Sequence, residues 1–296
     1  MKKGMRGLLL LLGMTSSAVY AEEYWIDFGT SAYATRYNSA AKKYAVRTIS
    51  AGWNNVSVEE QSSRGTALLS SSYFAETVEK DSSSIVATYE SRSADSVSIY
   101  DTENDGESIL SLSITKDTAV GSLQTIQTSK APTDALFGDT PRPDWVPASA
   151  YGDFIQTYLN DNGSGAYTLT FSGCKAGIYD ISVIAGAASY MGSVYEGNDA
   201  SAIYTLNGTS SYTIEGTNAA GGGYAGVLEW KDVEVSEDGL LTLTVQGGYL
   251  GDENGVQKYT SAALNTMVIK MIPEPSISAL SLLTLAGMAA RRQRRK

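Results

Sequence analysis

Residues 167–186 read YTLTFSGCKAGIYDISVIAG. Tyr167 to Phe171 set Tyr, Leu and Phe against Thr at alternate positions, the period of a strand with one buried face. Ile178 to Gly186 is apolar and β-branched, the composition of a second strand. Ser172 to Gly177 between them supplies turn residues, so the stretch predicts a hairpin.

The pattern continues on both sides. Asn207-Gly208 interrupts AIYTLNGTSSYTI, and both residues accept the positive φ that a two-residue turn demands. Asp238-Gly239 separates two further strands, the second placing Leu241, Leu243 and Val245 on one face. Ala263 to Ile272 predicts a final strand that runs into Pro273. Upstream, Tyr24 to Ser31 predicts the opening strand, Ser-rich strands follow, and Glu107 to Asp117 alternates Ile and Leu with a polar face. The opening and final strands are candidate partners. No long stretch of the body carries a 3.6-residue apolar stripe, and turn signals recur roughly every 8–12 residues, which implies an all-β antiparallel sandwich or jelly roll. Residues 129–154 hold four of the six prolines. They form either a linker that divides the body near 130–150 or one long loop of a single domain.

Both ends of the chain are of a different kind. Lys2, Lys3 and Arg6, then Leu8 to Leu12, then Val19 and Ala21 at the −3 and −1 positions make a secretory leader over 1–21, formed as a signal helix and cut after Ala21. It implies Sec-type export machinery and a signal peptidase as partners. At the other end, Pro273-Glu274-Pro275 precedes a 14-residue uncharged run, Ile277 to Ala290. As a helix that run spans about 21 Å, short of a hydrocarbon core of about 30 Å unless its flanks contribute. Arg291, Arg292, Arg294, Arg295 and Lys296 then form a stop-transfer cluster that stays cytoplasmic. Residues 273–296 read as a sorting and membrane segment, with a body of 22–272 on the far side of the membrane.

These three ordered elements resemble the PEP-CTERM sorting signal of Gram-negative bacteria. The resemblance covers about 25 residues and implies processing by an exosortase-like membrane enzyme and export with exopolysaccharide, to the cell surface or extracellular matrix. It speaks of sorting, not activity. No LPxTG-like motif for a sortase is present. Over about 167–272 the order of strands and turns also resembles galactose-binding-domain-like jelly rolls, which frequently bear carbohydrate-binding modules. No binding residue carries over position by position.

Composition closes several routes. Three of the 22 basic residues lie in the leader and five in the tail, and one of the 32 acidic residues, Glu274, lies in the tail, so the body carries about −17. Such a body lacks the clustered cations that neutralise phosphates, which excludes nucleic acid. The chain has no histidine, which excludes Ser-His-Asp catalysis and His-ligated metal. The one cysteine, Cys174, can form no internal disulfide and reads as a small residue near a strand end. The Gly-rich NAAGGGYAGV sits in a β setting and predicts no phosphate loop.

Asp101, Glu103 and Asp105 alternate as in the start of a Ca²⁺ loop, but Leu112 stands where an EF-hand has its Glu. With the turn GDENG at 251–255 they are the candidates for a structural Ca²⁺. No other cofactor is expected. Among Trp25, Trp53, Trp145 and Trp230, Trp145 in the Pro-rich loop, with Tyr151 nearby, is the expected sugar contact. Ice binding would require a flat, regular Thr array, for which LTLTV at 241–245 alone is too short. The reading is a surface or matrix protein without catalytic activity. One alternative is a carbohydrate-binding module. A second is a glycan-active enzyme built on paired carboxylates.

Overall fold

The computed structural model describes residues 21–29, 37–38, 43–44, 48–49, 51–59, 65–76, 78–79, 87–102, 109–116, 122–127, 153–158, 166–186, 200–216, 225–253, 256–259 and 263–273. The expected signal helix, the tail beyond Pro273 and the Pro-rich stretch up to Gly152 lie outside them. Among the described residues every regular element is a strand, and no helix is long and apolar enough to cross a membrane.

Two sheets form a sandwich. The first runs Ala225–Val235, Gly177–Gly186, Thr266–Ile272, Glu23–Phe28, Trp53–Glu59, Leu68–Tyr73, Tyr89–Ala94. Its neighbours are antiparallel except Glu23–Phe28 and Trp53–Glu59, which are parallel. The second runs Ser210–Gly216, Ala200–Leu206, Leu240–Gly247, Ala166–Ser172, Ile109–Lys116, Ser96–Tyr100, antiparallel throughout. Alternation in each strand sends one face inward. Tyr24, Ile26, Phe28, Ile181 and Ile269 from the first sheet meet Leu112, Ile114, Leu169, Phe171 and Leu243 from the second in one buried cluster. Each such side chain contributes about 1.5–3 kcal/mol by leaving water. The body, Glu22–Ile272, groups as one compact unit.

The stretch 167–186 forms both expected strands, but they do not pair. Ala166–Ser172 takes its partners in the second sheet, and Gly177–Gly186 takes its partners in the first. Gly173 to Ala176 therefore carry the chain between layers. A hairpin turn and an inter-sheet corner draw on the same small and polar residues, and only the distant strands on either side decide between them. Ser236 to Gly239 make the same crossing between Ala225–Val235 and Leu240–Gly247. The two corners touch: Cys174 N–H donates to the Gly239 carbonyl at 3.1 Å. A Cβ on Gly239 would lie 2.6 Å from the Cys174 carbonyl, and its φ is +66°, so only glycine fits both constraints.

Other expectations hold. Asn207 and Gly208, with φ of +48° and +69°, turn the hairpin of Ala200–Leu206 and Ser210–Gly216. The opening strand pairs antiparallel with the closing one, Glu23 opposite Lys270. That closing segment is interrupted at Asn265: Ala263–Leu264 joins Asp153–Tyr158 in a three-stranded sheet with Ser122–Gln127, and Thr266–Ile272 joins the main sheet. Asn54, 1% exposed, ties the two layers together. Its Nδ2 donates to the carbonyls of Trp25 (3.2 Å) and Tyr100 (2.8 Å), and its Oδ1 accepts from Tyr100 N–H at 2.7 Å.

The register also extends LTLTV. Ser211, Thr205, Thr244, Thr168 and Thr115 stand in one row across five strands of the second sheet's outer face. Thr168 and Thr244 hydroxyls lie 2.9 Å apart, Thr205 and Ser211 2.8 Å. Neighbouring strands rotate by roughly 20–25°, so such a row curves, and its hydroxyls bond one another in pairs.

Candidate functional site

The outer face of the seven-stranded sheet carries two parallel rows of side chains across four adjacent strands. The first row is Lys231, Asp180, Lys270, Glu23, an alternation of charge. The second is Glu229, Ser182, Val268, Trp25. Register sets most of both rows: Glu23 opposes Lys270, Lys270 opposes Asp180, Trp25 opposes Val268, and Ser182 opposes Val268 and Glu229. The eight residues line a cleft of about 300 Å³, at the small end of the range for ligand pockets. Their neighbours in sequence, Tyr24, Ile181, Trp230 and Ile269, point the other way into the core.

Lys231 reaches its place through a bulge. The pairing of Gly177–Gly186 with Ala225–Val235 shifts between Tyr179 and Ile181. Asp232 takes φ +54° there, and its N–H donates to Asp180 Oδ1 at 3.3 Å. The extra residue re-aims the strand, and Lys231 Nζ donates to Asp180 Oδ2 at 3.1 Å.

Glu23 is the hub of the other end. One carboxylate oxygen accepts from Lys270 Nζ at 3.0 Å, the other from the indole N–H of Trp25 at 2.8 Å. Its own N–H donates to Asp101 Oδ1 at 3.3 Å, and its carbonyl accepts from Thr102 N–H at 2.7 Å. The Trp25 ring is half-buried and packs edge-on against Trp53, with centroids 5.2 Å apart. Held at its nitrogen and against the Trp53 ring, the indole is fixed before any ligand arrives.

The charges nearly balance. Glu23, Asp180 and Glu229 face Lys231 and Lys270, one negative charge in excess. Each lysine is engaged by a carboxylate, while the exposed Glu229 carboxylate has no ion pair among the described residues. Each ammonium keeps N–H donors beyond the one it spends on its carboxylate. The cleft thus offers one apolar ring, acceptors on three carboxylates and donors on two lysines. Among the described residues no group of three or more Asp, Glu or Cys is placed to hold a metal ion.

Few of the sequence candidates lie among the described residues. Asp101 is fully buried and serves the backbone of Glu23; Glu103 and Asp105 lie outside the described residues. So do Trp145 and Tyr151, the expected sugar contacts, along with Glu274, Pro275, Arg291, Arg292, Arg294, Arg295 and Lys296. Ala21 directly precedes the opening strand's approach, and Pro273 follows the closing strand, exposed. Of the GDENG stretch, Gly251, Asp252 and Glu253 belong to the strand Tyr249–Glu253, which pairs with Val256–Tyr259, and Asn254 and Gly255 lie outside the described residues. Trp53 and Trp230, each 4% exposed, are buried. Trp25 was legible in principle, as a tryptophan at an outward position between Tyr24 and Ile26. Its partners in the cleft required the order of the strands.

No family model matches this chain. No curated protein matches it. Among solved structures it is similar to TmCBM61 in complex with β-1,4-galactotriose, at 10% identity over 53% of this chain and 86% of that one, with a TM-score of 0.26. It is similar to CBM35 from Cellvibrio japonicus Abf62, at 10% identity, 50% and 91% coverage, and a TM-score of 0.24. It is also similar to the ANX2 ectodomain from Arabidopsis thaliana, at 10% identity, 86% and 97% coverage, and a TM-score of 0.34.

Proposed function

We propose that this chain is an exported cell-surface or matrix protein whose sandwich body binds glycan, without catalysis, in the cleft floored by Trp25. The observation that carries the reading is the indole itself. A half-buried tryptophan on an outward face, held by Glu23 and Trp53, stands beside a row of alternating donors and acceptors on the sheet. A pyranose presents the complement, an apolar C–H face and a rim of hydroxyls, and aromatic rings with polar neighbours suit both. Three inter-strand gaps of about 4.8 Å give the row a span of roughly 14 Å, room for an oligosaccharide rather than one sugar.

Export rests on the residues of the two ends: the basic, apolar and small-residue order before Glu22, and the Pro-Glu-Pro, apolar and Arg-rich order after Ile272. In this reading a leader peptidase removes 1–21, and an exosortase-like enzyme acts on 273–296 once the body has crossed the membrane. No cofactor takes part.

A glycan array probed with residues 22–272 and with the W25A form tests the binding claim. Retention on a subset of neutral oligosaccharides, lost in W25A, is the expected result. Equal retention of both forms, or shortening of the bound oligosaccharide during incubation, contradicts it.

A further inference from the structure

We propose that the cleft selects glycans by charge, with Glu229 as the specificity residue that turns away chains bearing uronates. The inference rests on the glycan reading above and adds to it the class of chain that the cleft refuses.

The charge of the cleft is settled row by row. In the row Lys231, Asp180, Lys270, Glu23 each ammonium faces a carboxylate of its own. Lys231 Nζ lies 3.1 Å from Asp180 Oδ2, and Lys270 Nζ lies 3.0 Å from Glu23 Oε2. That row sums to zero. The row beside it, Glu229, Ser182, Val268, Trp25, holds one charge. Glu229 is exposed, and its cross-strand neighbour is the hydroxyl residue Ser182. Its strand, Ala225–Val235, is the edge of the sheet, so among the described residues no further strand brings a countercharge from the other side. Two cations answer two carboxylates, and the third is left over.

The backbone under Glu229 is nonetheless fixed. Its carbonyl accepts from the Tyr212 hydroxyl at 2.9 Å, and the Tyr212 ring packs edge-on against Trp230 with centroids 5.0 Å apart. Tyr212 stands on Ser210–Gly216, in the other sheet. An edge residue held from both sheets presents its carboxylate at one place. That place is the opposite end of the row from Trp25, roughly 14 Å away across three inter-strand gaps. Ser182 and Val268 between them are short, so the cleft runs as a trough from the ring to the carboxylate.

A neutral sugar at the carboxylate end offers hydroxyls, which donate to Glu229. A uronate there sets two carboxylates together while both lysines are already engaged. It gives up hydration and gains no unpaired cation in return. An unpaired charge on one partner discriminates against a ligand of the same sign, and the negative charge of the whole body adds to this at longer range.

The probes are the neutral oligosaccharide that the array retains best and the same chain with uronates in place of its sugar units. Calorimetric titration gives both affinities for the wild type, Glu229→Gln and Glu229→Lys, at 0.01 M and 1 M salt, and their ratio is read rather than either affinity alone. At low salt the wild type should prefer the neutral chain at least about tenfold. Glu229→Gln should cut that ratio about three- to fivefold, and Glu229→Lys should bring it to about one or invert it. The screening length falls from about 30 Å at 0.01 M to about 3 Å at 1 M, so the three proteins should converge at high salt. A wild type that binds both chains alike contradicts the proposal. So does a preference that persists in E229K and in 1 M salt, because it then comes from shape rather than charge. If no neutral oligosaccharide is retained, or W25A retains it equally, the glycan reading fails, and the proposal with it.

Discussion

Lys270 Nζ and Glu23 Oε2 lie 3.0 Å apart although 247 residues separate them in the chain. One contact thus joins the first strand of the sandwich to the last and forms one wall of the cleft. The lysine side chain is half exposed, so the pair itself contributes little to stability, about 0–1 kcal/mol. Its importance here is positional, because the same carboxylate holds the Trp25 indole.

Glu23→Gln therefore separates stability from binding. The amide loses the ionic part of both contacts. The melting temperature should move by no more than a few degrees. Glycan affinity should fall about 5- to 10-fold, the worth of roughly 1 kcal/mol of ring positioning. Thermal melting and calorimetric titration of one preparation read both, and a change in stability alone would remove Glu23 from the site.

Asn54→Ala should do the reverse. Its amide bridges Trp25 and Tyr100, one in each sheet, from a buried position. Removal leaves buried backbone groups without partners, at about 1–3 kcal/mol each. A loss of about 3 kcal/mol, or roughly 6–12 °C for a body of this size, is expected by urea or thermal unfolding. Near-wild-type stability would show that the layers do not depend on this link.

Cys174 should be chemically silent in the native protein. It is 6% exposed, and burial first, with a smaller contribution from the Glu22 charge, pushes the thiol up to about 11. Burial raises the Tyr179 phenol as well. In the unfolded chain the thiol ionises near 8.5, so the unfolded state releases its proton first as pH rises. Stability should be level up to about pH 8 and should fall from there through about pH 11. Urea midpoints across that range check the sign, and Cys174→Ala should flatten the fall. Iodoacetamide at pH 8 should label the protein only in denaturant. Rapid labelling of the native form would contradict the burial.

Much of the fold was legible from alternation and turns. The strands around Leu112, Leu169 and Leu243 lie where period-two patterning puts them, and Asn207-Gly208 turns the hairpin it predicts. What local sequence could not decide was partnership. Gly173 to Ala176 look like a hairpin turn, yet the strands on either side belong to different sheets, because each finds better-matched neighbours far away in the chain. The cleft was hidden for the same reason. Glu23, Asp180, Lys231 and Lys270 are unremarkable charges in sequence. They become a row only once Thr266–Ile272 is known to lie between Glu23–Phe28 and Gly177–Gly186.

Removing Pro273 to Lys296 should leave the sandwich intact. The last ladder residue is Ile272, and the exposed Pro273 has no N–H to continue it. The truncated protein should melt within a few degrees of the full chain, while its location in the native host shifts from the envelope to the periplasm or medium. A large drop in melting temperature, or identical fractionation, would argue against a sorting role.

Calorimetric titration of residues 22–272 and of W25A with a neutral oligosaccharide retained on the array tests the central claim most directly. Trp25 is half-buried on an outward face, so its loss should cost the fold far less than Trp53→Ala, for which about 3–5 kcal/mol is expected. Saturable binding to the wild type, reduced at least about tenfold (1.4 kcal/mol) in a W25A protein that still unfolds cooperatively, is the predicted result. Unchanged affinity in folded W25A would show that the cleft is not where glycan binds.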